Sequence, residues 1–225
     1  MVRSTRFNAK GRLPGARLLV ALILVLPLMV SGTRVTAAAA PESIIEGFPS
    51  VAQWYSLSCE YAAAAAVSLY WGRLVSQRDF LAAIPESPNP HWGFRGNIYG
   101  AWGGIRNYGI YAEPLVPVLA ERGYRVDVFY GGVTRLKQEL AAGHPVVVWM
   151  TGKRGNQPVT YATYQGERFK LVPYEHATVA YGYDAGGIWI MDVGNGGRYY
   201  YGWGNFITRW DYFDEMALVM TPGWG

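Results

Sequence analysis

Cysteine is nearly missing from this chain: one residue, Cys59, in 225. A disulfide framework within the chain is therefore excluded, as are zinc sites built from several thiolates. Histidine is also scarce, and His91, His144 and His176 lie too far apart in sequence for a recurring metal-ligand spacing. No metal or other cofactor is expected. The glycine clusters at 131–132 and 194–197 lack the lysine and strand-to-helix context of a phosphate loop, and no Gly-x-Ser-x-Gly elbow occurs. Acidic residues are absent before Pro41, where six of the 20 Lys and Arg lie (Arg3, Arg6, Lys10, Arg12, Arg17, Arg34). Beyond that point 14 basic residues face 16 acidic ones. The net charge of +4 thus belongs to the leader, and the slightly acidic body argues against nucleic acid as a partner.

The chain is 51% hydrophobic and 15% aromatic, enough for a sizeable core. Residues 1–40 run from a basic stretch through the apolar run 18–30 to small residues 37–40. This is the layout of a secretory signal peptide cleaved near Ala39, because a bilayer span needs about 20 apolar residues. The expectation is a secreted or extracytoplasmic protein. A retained N-terminal anchor is the alternative, and the only membrane contact it would provide. Residues 41–225 fit a single domain.

Within that body, five successive alanines follow Cys59-Glu60-Tyr61, and Gly72 stands beyond Trp71. Alanine's helix propensity, a serine N-cap and a terminal glycine predict a helix over 59–71. A second is expected over 77–84, capped by Ser76 with Asp79 three residues on. Residues 85–111, rich in Pro, Gly, Asn and aromatics, read as a long structured loop. Helical patterns return at 114–122 and 134–142, with strands at 125–129 and 145–150 after them. Further strand signals come at 176–183, 188–193, 199–201 and 216–220. Helices early and strands late predict an α+β domain, its helical half packed on an antiparallel β-sheet.

A lone thiol at a helix N-terminus feels the positive end of the helix dipole, which favours the thiolate. Gln53, six residues upstream, could aim its amide at a developing oxyanion beside the Cys59 N–H. A base must then take the thiol proton. His144 sits in a turn entering an apolar strand and His91 beside Trp92, both structural settings, whereas His176 opens the strand His176-Ala-Thr-Val-Ala-Tyr-Gly-Tyr183. The return strand brings back Asp192, which would orient the imidazole. With Tyr183 opposite Ile188, Asn195 would face His176 and Asp192 would point away; a one-residue change brings Asp192 onto the face of His176. Asp192 is preferred, with Asn195 as the alternative.

Together, Gln53, Cys59 on a helix start, His176-Ala-x-x-x-x-Gly182-Tyr183 and Asp192 resemble the papain-like cysteine peptidases. Ser58-Cys59-Glu60-Tyr61-Ala62-Ala63, Gly143-His144-Pro145-Val146-Val147 and Asp192-x-Gly194 are most similar to stand-alone relatives of the double-glycine-leader, bacteriocin-processing peptidases. The resemblance spans about residues 48–220. It implies the papain-like fold, a peptide or protein substrate, Cys59 as nucleophile, His176 as general base and acid, Asp192 as its orienting residue and Gln53 as oxyanion donor. It also suggests a bacterial source. Two features depart from the pattern: Ser56-Leu57-Ser58-Cys59-Glu60 replaces the papain-type Cys-Gly-Ser-Cys-Trp signature, and Val193 stands where the leader-processing members resemble Asp-Pro. No transporter segment follows, so leader processing during export is not expected. Trp92 and Trp102, in the aromatic cluster 92–111, are candidates to wall a substrate groove. A peptide- or glycan-binding module without catalysis, and an acyl or peptidyl transferase acting on cell-wall peptides, are the competing readings.

Overall fold

Alanine side chains that allow close approach, with no branched residue before Val67, explain the element at the centre of the fold. In the computed structural model, which describes residues 42–224, helix α1 (Cys59–Tyr70) is buried from Cys59 through Ser68. A helix buried all round sits inside a domain rather than on its surface. The leader expected over residues 1–40 lies outside the described residues. In chain order the other elements are β1 (Ser43–Ile44), α2 (Gln77–Ala83), α3 (Leu115–Glu121), β2 (Tyr124–Phe129), α4 (Val133–Ala141), β3 (Val146–Thr151), β4 (Thr160–Tyr164) and β5 (Glu167–Leu171). They continue with β6 (Glu175–Tyr183), β7 (Gly187–Asp192), β8 (Gly197–Gly202), α5 (Trp203–Trp210) and β9 (Ala217–Pro222).

The strands form an antiparallel sheet in the order β2-β9-β3-β6-β7-β8, with β1 also paired to β6, and β4 and β5 form a separate hairpin. Helix α1 packs on β6 and β3, so the α+β architecture expected from the sequence is the one observed. Strand β3 is buried at every position, and Trp149 at its centre donates from its indole N–H to the Ile110 carbonyl at 3.0 Å. The capping box at α2 is complete: Asp79 N–H donates to Ser76 Oγ, and Ser76 N–H to Asp79 Oδ2.

Two features depart from the sequence expectations, the β4–β5 hairpin and helix α5. The β4–β5 hairpin turns at Gln165-Gly166, both with positive φ, and most of its residues are not buried, so it lacks the apolar alternation of a half-buried strand. Helix α5 is made of aromatic and β-branched residues of modest helix propensity. It is helical because Trp203, Phe206, Ile207 and Trp210 fall on one face and pack into the core, so tertiary burial overrides propensity.

The register between β6 and β7 decides which face of the sheet the end of β7 presents. Tyr183 pairs with Ile188 and Gly182 with Trp189, but the next partners are Ala180 with Ile190 and Val179 with Met191. Tyr181 is an extra residue on β6, a β-bulge that shifts the pairing by one. The closing turn is held by Asp184, whose carboxylate accepts the N–H groups of Gly186 and Gly187 at 2.7 and 2.8 Å. Gly182 lets β1 close onto the bulge, since a Cβ there would stand 2.6 Å from Ile44 Cγ1.

Trp149→Ala removes one of the two fully buried tryptophans among the described residues and leaves the Ile110 carbonyl without its donor. Chemical denaturation is expected to show a loss of about 3–5 kcal/mol with the fold retained.

Candidate active site

The N-terminus of α1 is set by the segment that precedes it. The Gln53 N–H donates to the Val193 carbonyl at 2.7 Å, which ties this segment to the end of β7. Buried Gln77 on α2 donates to the Ala52 carbonyl and accepts from the Trp54 N–H and the Ser58 hydroxyl at 2.9 to 3.2 Å. These bonds place Cys59, only 3% exposed, at a cavity of about 380 Å³. Its walls also carry Gln53, Ser56, Trp102, Gly152, His176, Asp192, Gly194 and Asn195. A larger cavity of about 890 Å³, lined by Tyr61, Arg95 and Arg106 among others, has none of Cys59, His176 and Asp192 on its walls.

The bulge at Tyr181 carries Asp192 to the position opposite Thr178, on the same face of the sheet as His176. The two meet: the imidazole Nε2–H donates to Asp192 Oδ1 at 2.7 Å, and the Gly194 N–H donates to the same oxygen at 2.8 Å. An ionised carboxylate only accepts, so Nε2 carries the proton and Nδ1 is left with its lone pair. Burial works to raise the Asp192 pKa, but the hydrogen bond and charge of His176 and the Gly194 N–H outweigh it and hold the carboxyl below its usual range. Asn195 is used otherwise, closing the turn after β7 through the Gly197 N–H and the Tyr199 hydroxyl at 2.8 and 2.7 Å. Asp192, not Asn195, is therefore the partner of His176.

The remaining candidates separate. Trp102 is on the cavity wall, its indole N–H donated to the Glu175 carbonyl at 2.8 Å and its ring edge-on to both Tyr174 and His176. Trp92 is not on that wall; it packs edge-on against Tyr164 of the β4–β5 hairpin, so the groove expected from both tryptophans has only one of them. Gln53 is on the wall, yet its amide N–H groups are donated within its own turn, to the carbonyls of Tyr55 and Ser56 at 2.7 and 2.9 Å. His144 and His91 bond through Nδ1 to Glu139 and Glu113, in line with structural roles.

The thiol itself departs from expectation. Burial, then the charges of Glu175 and Glu60, push the Cys59 pKa well above the ordinary value; the Ala177 N–H pulls it the other way. The helix dipole offers about half a charge, and it is outweighed here by buried carboxyls close to the sulfur. Glu60 Oε2 lies 3.4 Å from Sγ, and one oxygen of each carboxyl lies within 4.8 Å of the sulfur and of the other. Neither residue stands out as a site residue in the sequence. Glu60 does leave a signal, an ionisable side chain inside a run of small apolar ones, but Glu175 becomes visible only when β6 packs on α1. Burial pushes Glu60 up to about 7, against the downward pull of backbone N–H groups and of the Cys59 thiol. Glu175, buried and repelled by Glu60, rises further.

The mixed helix and antiparallel-sheet fold, with a helix-borne cysteine and a strand-borne histidine on the wall of one cavity, is that of the papain-like cysteine peptidases. The model of the Peptidase_C39 like family matches residues 45–218, and the chain belongs to that family: it is a cysteine-type peptidase. Among the solved structures that share the fold are two peptidases. One is described as a C39-like peptidase from Bacillus anthracis, with a TM-score of 0.71 and 21% identity over 81% of this chain and 98% of that one. The other is the peptidase domain of Streptococcus ComA, a bi-functional ABC transporter involved in a quorum-sensing pathway, with a TM-score of 0.51 and 15% identity over 78% and 98%. No curated protein matches the chain at a significant level.

The raised carboxyls have a consequence for stability. Glu60 and Glu175 bind protons more tightly folded than unfolded, so their contribution is fully present below the ordinary glutamate range and is lost as pH rises through the folded values. The melting temperature is expected to fall between about pH 5 and pH 8. The depressed carboxyls Asp192, Glu113 and Glu139 act in the opposite sense, but below that window. A melting temperature that is flat or rises from pH 5 to 8 would contradict the burial of this pair.

Proposed function

We propose that this peptidase is exported and hydrolyses peptide bonds of peptide or protein substrates through Cys59, His176 and Asp192. The observation that carries this reading is the 2.7 Å bond between His176 Nε2 and Asp192 in the cavity that also holds the only cysteine. Export rests on the leader pattern of residues 1–40.

In the first half-reaction, the lone pair on His176 Nδ1 takes the Cys59 proton and the sulfur attacks the scissile carbonyl carbon. The carbonyl oxygen becomes an oxyanion. First-turn N–H groups of an α-helix have no intrahelical acceptor, so the Cys59 N–H is a donor for it. Gln53 supplies a second donor by sharing an amide hydrogen that it now gives to the Ser56 carbonyl. The imidazolium returns its proton to the leaving amine as the C–N bond breaks, which leaves a thioester on Sγ. Water, deprotonated by the same nitrogen, then attacks the thioester and releases the acid and the thiol. Asp192 stays ionised throughout, holds the tautomer and stabilises the imidazolium. Trp102, on the rim of the cavity and fixed to the Glu175 carbonyl, offers an apolar edge to a substrate side chain.

Because Cys59 is the only thiol, mass spectrometry of the alkylated full chain reads one site. Iodoacetamide is expected to react at Cys59, and His176→Ala is expected to slow that reaction by roughly tenfold or more. Reactivity that follows an ordinary thiol near pH 8.5 in both proteins would remove the coupled pair. Once a cleavable peptide is in hand, Trp102→Ala is expected to lower kcat/KM while Trp92→Ala leaves it within about twofold of the parent; equal losses would put Trp102 outside substrate binding.

A further inference from the structure

Beside Cys59, buried and off the cavity wall, lie two carboxyls with no Lys or Arg bonded to them among the described residues. Glu60 is fully buried; its Oε1 accepts the Ile110 N–H at 2.7 Å and its Oε2 lies 3.4 Å from the thiol sulfur, which donates to it. Glu175, 2% exposed and next to His176 in the chain, has no hydrogen-bond partner on either oxygen. The backbone makes room for both. Gly109 has a positive φ, and a Cβ there would stand 2.0 Å from Glu60 Oε1 and 3.3 Å from Glu175 Oε2. The thiol therefore donates to Glu60 in the interior, while His176 stands on the wall of the cavity that Cys59 also lines.

Resting on the reading of Cys59 and His176 as nucleophile and base, we propose that Glu60, backed by Glu175, is a competing proton acceptor that keeps Cys59 a latent thiol while the pair is charged and releases it to His176 when the pair takes up a proton. The protons balance. In the latent form the thiol donates to the Glu60 carboxylate, Glu175 is protonated and His176 is neutral. One proton from solvent then adds to Glu60, and the thiol's own proton moves to His176 Nδ1. The product is a neutral carboxyl pair with a thiolate–imidazolium pair, and no electrons are transferred.

Two carboxyls this close cannot both ionise in a dry site. Glu175 lacks any donor and so holds the shared proton, while Glu60, aided by the Ile110 N–H, titrates near 7. The titratable groups around them are Cys59 and Tyr61 on α1, Tyr108 and Tyr111 from the 85–111 loop, and His176 and Asp192 beyond the sulfur. Among the described residues no Lys or Arg acts on either carboxyl. Acidification therefore activates this thiol, the reverse of an isolated cysteine.

The test is the alkylation rate of the full chain with iodoacetamide at pH 6, 7 and 8, in the parent, Glu60→Gln and His176→Ala. The parent is expected to react more slowly at pH 8 than at pH 6. Glu60→Gln, which removes one charge 3.4 Å from sulfur, is expected to react roughly tenfold faster than the parent at pH 8 and to lose that slowing. A Glu60→Gln profile superimposable on the parent overturns the proposal. If Glu60→Gln does not fold, the parent alone decides, because a rate that climbs steadily from pH 6 to 8 overturns it as well. The two readings fail separately: a parent insensitive to His176→Ala removes the dyad, whereas a sensitive parent with an indifferent Glu60→Gln removes only the role of Glu60.

Discussion

Asp192 reaches His176 because β6 carries one more residue than β7 between them. Without the bulge at Tyr181, the turn closed by Tyr183 and Ile188 would deliver Asp192 to the opposite face of the sheet. The remainder of the site is hung on the same strand end. Val193 accepts the Gln53 N–H, Ser50 donates to the Gly196 carbonyl, and Arg198 donates to the Phe48 carbonyl. The segment leading into α1 is thus laced to the residues that follow Asp192. A shift at the bulge would disturb the imidazole, its carboxylate and the approach to the thiol together.

The Cys59 thiol is governed by two opposed fields. The N-terminus of α1 offers a partial positive charge, and His176 offers a place for the thiol proton. Against them stand Glu60 and Glu175, full charges when ionised, in a site too dry to screen them. Burial first, and then the charges of the two carboxyls, outweigh the helix dipole, so the thiol is raised in pKa rather than lowered. Such a site makes the protonation state of its interior part of the chemistry at its surface.

Much of this arrangement is legible in the sequence, for identifiable reasons. The alanine run, the Ser76 and Asp79 capping box and the apolar strands 146–151 and 175–183 obey local rules that the tertiary structure does not override. The pairing of the scarce residues Cys59 and His176 follows from elimination. What is not legible depends on contacts distant in sequence. A bulge is invisible to a register counted from the turn, which is why Asp192 and Asn195 both stand as candidates until the strands are paired. Helix α5 is built from strand-favouring aromatics and needs the core to fold it. The separation of Trp92 from Trp102 reflects a hairpin, β4–β5, whose weak alternation hides it and whose Tyr164 takes Trp92 away. Glu175 is a strand residue like its neighbours until α1 places Glu60 against it.

The central claim is that Cys59, His176 and Asp192 form one proton-transfer unit whose tautomer is set by Asp192. Two-bond proton–nitrogen correlation spectra of the imidazoles test it directly, with only three histidines to assign and His176→Ala to identify the third. The structure predicts that neutral His176 carries its proton on Nε2, strongly deshielded by Asp192, and that Asp192→Ala removes this preference. A His176 protonated on Nδ1 would turn an N–H rather than a lone pair toward the thiol, and would contradict the claim.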